Sequence, residues 1–246
     1  SYYDDDAVVE VDAASMQELR RFTIPSPGVM VLSSDDQYLY VTSSGWPDSW
    51  IAQVRINDGT TESVTVQGDV TGLAIDDADD WIWAVHRTYP VPGDPGSERE
   101  ALNDYPNSGH LTKISATSLS VVATTNTMVL PMSVWYSAYS EKVFVLHENE
   151  MRQENENDPE GCVVGTWDAE ILQWTGYTVG GMHQGFRWMP TAGCRWSEDD
   201  RYFAVPNPGQ THSDYSLRVI DSVDNSIAFD LAFLDDHGTV LKTKHA

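Results

Sequence analysis

The chain has 246 residues, 41% of them hydrophobic, with nine Trp and eleven Tyr, so it can bury a sizeable core and intrinsic disorder is excluded. Its formal charge of -24 comes from 38 acidic residues against 14 basic ones scattered along the chain, which describes a solvated acidic coat. Such a field repels phosphate backbones and anionic lipid, disfavouring nucleic-acid and membrane-surface binding, and suits cationic partners, divalent ions or a high-salt habitat.

No run of about 18 apolar residues occurs, so no helical membrane insertion is expected. The chain opens with neither Met nor a basic-then-apolar leader, which leads us to expect a processed or truncated product and an extracellular, cell-surface or periplasmic location. Cys162 and Cys194 are too few for a disulfide framework; they form either one bridge or two unlinked thiols.

In chain order, the first alternating segment is Val8 to Asp12 (VVEVD), followed by a short polar turn and a second β-rich segment. The same hairpin signature recurs at Gln53 to Asn57, Leu111 to Ser115, Val164 to Asp168 and Arg218 to Asp221. Between these anchors lies a second hairpin, in which a strand leads through an acidic turn into an aromatic-rich strand. It ends at Val41, Val85, Leu146 and Val205, and a gap-free alignment places Asp36, Asp80, Glu141 and Asp200 at one shared position. The repeating unit is four antiparallel strands at the spacing of a propeller blade, with anchors near Asp12, Asn57, Ser115, Asp168 and Asp221. We therefore predict an all-β, single-domain β-propeller over 1–246, of about five four-stranded blades. The last blade is expected to be incomplete or closed by the N-terminal Ser1 to Tyr3.

Three segments, Val219 to Asp221 (VID), Leu39 to Ser44 (LYVTSS) and Ser33 to Gln37 (SSDDQ), resemble the YVTN-type repeats of the WD40-like propellers. The resemblance implies the architecture and little about activity, since propellers host many functions. Propeller lactonases, which bind a metal at the channel mouth, and the propeller subunits of amine dehydrogenases are similar in architecture, but their site residues have no match here. In the same alignment the equivalents of Thr42 are His86, His147 and Pro206, which places the two histidines at one register position on an outermost strand.

The connections after the aromatic-rich strands are unequal: Ser43 to Trp50, His86 to His110, His147 to Gly161 and Pro206 to Ser216. The segment Gly180 to Pro190 joins them on the same face. That face collects His86, His110, His147, His183 and His212. Glu148, Asp104 and Asp214 are candidate companions for a metal, although polar residues solvated at a rim explain the histidines as well. It also collects Trp46, Trp50, Tyr89, Tyr105, Phe186, Trp188 and Tyr215, aromatic types that stack on sugars or anchor protein partners.

Glu148 to Glu160 has the composition of a calcium loop without its ligand order. Neither Gly93 to Ser97 nor Gly180 to Gly185 joins a strand to a helix as a phosphate cradle does, and no nucleophile elbow is present. The expectation is a binding module for a protein or glycan. No cofactor is identified beyond an admissible divalent cation. The alternatives are an enzyme or electron-transfer subunit and a self-assembling surface subunit.

Overall fold

A computed structural model describes residues 6–44, 48–76, 78, 80–88, 109–127, 131–147, 163–179, 194–207, 216–232 and 243–244. Strands β1 (Ala7–Val11) and β2 (Glu18–Thr23) pair as a two-stranded sheet. Blade one consists of β3 (Pro27–Leu32), β4 (Tyr38–Ser43), β5 (Asp48–Arg55) and β6 (Thr61–Gln67) in that order. Blade two holds β7 (Asp69–Ile75), β8 (Trp81–Arg87), β9 (Gly109–Ser115) and β10 (Ser120–Asn126). Blade three holds β11 (Pro131–Ser137), β12 (Lys142–His147), β13 (Val163–Asp168) and β14 (Trp174–Val179). Blade four runs β15 (Arg195–Trp196), β16 (Tyr202–Asn207), β17 (Ser216–Asp221) and β18 (Ile227–Ala232), with β19 (Thr243–Lys244) as a fifth strand on β18. The described residues contain no helix, and the five sheets fit about five propeller blades.

The sheets divide the chain differently from the anchor-first reading. Each full blade begins with the acidic-turn hairpin and ends with the anchor hairpin, so β8 and β12 are interior strands, not outermost ones. Burial follows. β8 (WIWAVHR) and β12 (KVFVLH), covered on both faces, read as near-continuous apolar runs, whereas β10, at the rim, is exposed along most of its length.

The core lies between successive sheets. Phe22 and Ile24 pack on Val41 and Val54; Tyr40, Ile51 and Val66 pack on Leu73, Ile82 and Ile114. Trp83, Val85 and Leu111 then meet Val143, Val145 and Trp167, while Phe144, Leu146 and Val164 meet Phe203, Val205 and Ile220. Alternate residues of one strand thus serve opposite interfaces, each fully buried large side chain contributing roughly 1.5–3 kcal/mol.

The hydrogen-bond register corrects two alignments. Tyr38, Trp81, Lys142 and Tyr202 pair with Arg55, Ser115, Asp168 and Asp221, so the blade-one anchor is Arg55 and not Asn57. Beyond the anchors, the N–H groups of Met16, Gly59, Leu172 and Asn225 donate to the carbonyls of Asp12, Arg55, Asp168 and Asp221. All four residues, and Leu119 in blade two, take left-handed backbone with φ between 44° and 74°.

The carbonyls of Gln37, Asp80, Glu141 and Arg201 each accept the N–H of the residue after the anchor, Ile56, Ala116, Ala169 or Ser222. Asp80 and Glu141 therefore sit one place beyond Asp36 and Asp200, and the gap-free alignment is out of step by one in blades two and three. The structural counterparts of His86 and His147 are Ser43 and Asn207, not Thr42 and Pro206.

The residue after each anchor also receives a donor from the preceding sheet. Arg20 donates to the Ile56 carbonyl, Gln53 to Ala116 (3.2 Å), Lys113 to Ala169 (2.9 Å) and Lys142 to Ser222 (2.9 Å). Lys113 further donates to the Glu170 carbonyl and lies 4.3 Å from the Trp81 ring centroid. Desolvation pulls its pKa below the ordinary lysine value, opposed by the nearby Glu170, Asp76 and Asp168 carboxylates.

Candidate functional site

Antiparallel alternation sends every acidic turn and every anchor turn to one end of the blades, and all other connections to the opposite end. The first end is uniform: its turns are short and repeat the same hydrogen bonds from blade to blade. At the second end β4 reaches β5 almost directly, whereas 88–108 separate β8 from β9, 148–162 separate β12 from β13, and 180–194 separate β14 from β15.

Of the residues expected to form a site there, Trp50, His86, His110 and His147 are described. Trp46, Tyr89, Tyr105, Glu148, His183, Phe186, Trp188, His212, Asp214 and Tyr215 lie outside the described residues, as do Asp104 and Cys162. Cys194 is buried in the interface between blades three and four. Trp50, on β5, is 40% exposed.

Among the described histidines, His86 and His147 are not solvated at a rim. His86 is 3% exposed and His147 is 1% exposed, because β8 runs through His86 to Arg87 and β12 extends to His147, which carries both into blade interfaces. His86 alternates with Ile82 and Ala84 and so faces blade one; His147 alternates with Val143 and Val145 and faces blade two. The pair therefore belongs to two separate interfaces. His147 packs against the Trp167 ring at 5.9 Å.

His86 instead meets His110, its cross-strand partner on β9, with ring centroids 5.0 Å apart and planes inclined by 28°. His86 Nε2 lies 2.8 Å from Thr112 Oγ1, which lies 2.9 Å from Thr124 Oγ1. His110 Nδ1 is 3.1 Å from Asn126 Oδ1, and its Nε2 is 3.1 Å from Thr88 Oγ1. A polar ladder thus crosses β8, β9 and β10 at the root of the longest connection. Burial, and then the neighbouring His110 ring, push the His86 pKa down to about 4, while the backbone of Gln67 works the other way. Burial also lowers His110. Both rings are neutral at neutral pH and act as hydrogen-bonding spacers.

Among the described residues no group of three or more His, Cys, Asp or Glu side chains is arranged to hold a metal ion. The His86–His110 pairing was missed in the sequence. Its signal was there, since the two residues bound the same connection and a hairpin sets its closing residues opposite each other.

No protein-family model matches the chain, and no curated protein sequence does. Solved structures share its fold. Hydrazine synthase from Kuenenia stuttgartiensis superposes with a TM-score of 0.62 at 10% identity, covering 85% of this chain. This chain spans 50% of that one. A functionally unknown protein from Desulfotomaculum acetoxidans gives a TM-score of 0.59 at 11% identity over 98% of this chain and 77% of its own. U3-55K gives 0.54 at 11% identity over 93% and 55%. At such identities the likeness shows the fold alone, and that fold is a β-propeller.

Proposed function

We propose that this chain is a YVTN-type propeller acting as a binding module, exported to the cell surface, periplasm or medium, whose long-loop end holds a protein or glycan. The observation that carries this reading is the asymmetry of the two ends. Insertions gathered on one face of a repeat scaffold are the usual mark of a binding face, because the strands fix the loop roots while the loops vary. The polar ladder that runs from buried His86 and Thr112 out to His110, Thr124 and Asn126 gives the longest loop a hydrogen-bonded base, and exposed Trp50 adds an aromatic platform at the same end. With a charge of -24, the favoured ligands are neutral glycans and cationic protein surfaces.

The test is a glycan-array and lysozyme-binding screen of the purified chain beside two variants. One variant is Trp50→Ala; the other replaces 90–107 with an Asn-Gly turn. Binding to at least one probe, weakened by Trp50→Ala and abolished by loop shortening at an unchanged unfolding midpoint, is expected. Binding to no probe, or binding indifferent to both changes, would overturn the proposal. Stoichiometric transition metal in the purified protein, together with turnover, would favour the enzyme alternative.

A further inference from the structure

The rim strands of the blades differ in charge in a way the binding reading does not use. The stretch from Ile114 to Ser140 contains no Asp, Glu, Lys, Arg or His, whereas the other acid-free run of that length, Ile171 to Ser197, carries His183, Arg187 and Arg195. Its centre is β10, the edge strand of blade two, which among the described residues pairs only with β9. Five successive residues of β10, Ser120 to Thr124, are exposed, with Val121 at 46% and Val122 at 54%. From Ala123 to Asn126 the pairing with β9 is regular, so the opposite row of N–H and C=O groups forms an ordered template.

The other rims are guarded. β2 carries Glu18, Arg20 and Arg21, and β6 carries Glu62. β18 carries Asp230 and is already capped by β19, which shows that a rim of this fold accepts a further antiparallel strand. β14 is uncharged, but its extended backbone is interrupted at Gly176, whose φ is +149°.

We propose that β10 is a self-association edge, on which a second copy of this chain pairs its own β10 antiparallel about a two-fold axis. Two arguments select a second copy over another partner. An isologous strand pair sets each residue against its symmetry mate or a near neighbour on the same strand, so charge on the strand would confront like charge, and β10 has none. Two copies each carrying -24 also repel over the rest of their surfaces, leaving an uncharged rim as the place where contact costs least. Screening removes that repulsion, the Debye length falling from about 10 Å at 0.1 M salt to about 3 Å at 1 M, so association strengthens with salt.

Sedimentation velocity of the whole chain at about 0.1 and 1 M NaCl, over a range of protein concentration, tests this. A monomer–dimer equilibrium is expected, with the dimer fraction rising several-fold at high salt. Ala123→Lys, at the middle of the strand, should reduce dimer to the background level. Val122→Lys, at the bulged position, where the side chain is 54% exposed, serves as a second variant should the first lose its fold by circular dichroism. Thr65→Lys on β6 should leave the equilibrium unchanged. Monomer under all conditions, dimer that weakens with salt, or dimer that survives both β10 variants would overturn the proposal.

Discussion

Lowering the pH from 7 to 4 should cost this protein a defined amount of stability through one side chain. His86 is buried between blades one and two, and its pKa falls from 6.5 to about 4 on folding. Between those values the unfolded chain binds a proton that the folded chain refuses, so stability rises with pH across the window. Conversely, the contribution of neutral His86 is whole above pH 6.5 and is lost as pH falls towards 4. A difference of about 2.5 units corresponds to about 3 kcal/mol. The raw pH profile would obscure this, because titration of the 38 carboxylates changes self-repulsion over the same range. The comparison with His86→Gln isolates it, since Gln keeps a polar group towards Thr112 and does not titrate. Urea unfolding of both proteins at several pH values between 4 and 7.5 should show the wild type losing about 3 kcal/mol more than the variant on acidification. Parallel curves would refute the reasoning, because they would mean that the ring titrates in the folded protein as it does in the unfolded one.

Further outcomes concern the joints and turns. Lys113→Met keeps the apolar stem but removes both hydrogen bonds to the blade-three turn and the contact with Trp81, and should cost about 2–4 kcal/mol in chemical unfolding. Gly68 has φ +82°, and an added Cβ would lie 2.0 Å from the Arg87 carbonyl oxygen, so Gly68→Ala should cost at least about 2 kcal/mol or abolish folding, read as soluble yield and melting midpoint. Met16 occupies the same left-handed turn position as Gly59 while its side chain is exposed, so Met16→Gly should stabilise the protein by about 0.5–1 kcal/mol. Gly59→Ala should lose about 1 kcal/mol, the added Cβ meeting Phe22 only at ordinary contact distance.

The propeller was legible because alternation and aromatic content report half-buried strands directly, and five hairpins of one kind leave few other architectures. Blade boundaries were not, since two kinds of hairpin alternate along the chain and nothing local says which consecutive pair shares a sheet. The one-residue error in blades two and three has a definite cause. Aligning the acidic residues put Asp80 and Glu141 with Asp36, although carbonyls and not carboxylates hold the common register, and their partner by hydrogen bonding is Gln37. His86 and His147 were the histidines that a solvated rim explained least, since they share a register position, but the sequence did not show that they are buried. Their burial depends on each strand continuing for one more pair, His86 with His110 and His147 with Val163, which no local pattern announces. The joints between blades were invisible for a related reason: Gln53 and Lys113 share a strand position but not a side-chain type, Lys113 and Lys142 share a type but not a position, and Arg20 shares neither.

Those joints bear on how such a scaffold can change. The receiving group in each is a main-chain oxygen just past a strand, present whatever residue stands there, and the giving group has been guanidinium, amide or ammonium in turn. A lineage can therefore rewrite every side chain at these seams and keep the seam, needing only some long donor within reach. Sequence memory of the repeat can fade while its geometry persists, which is consistent with a chain that superposes on other propellers at 10–11% identity.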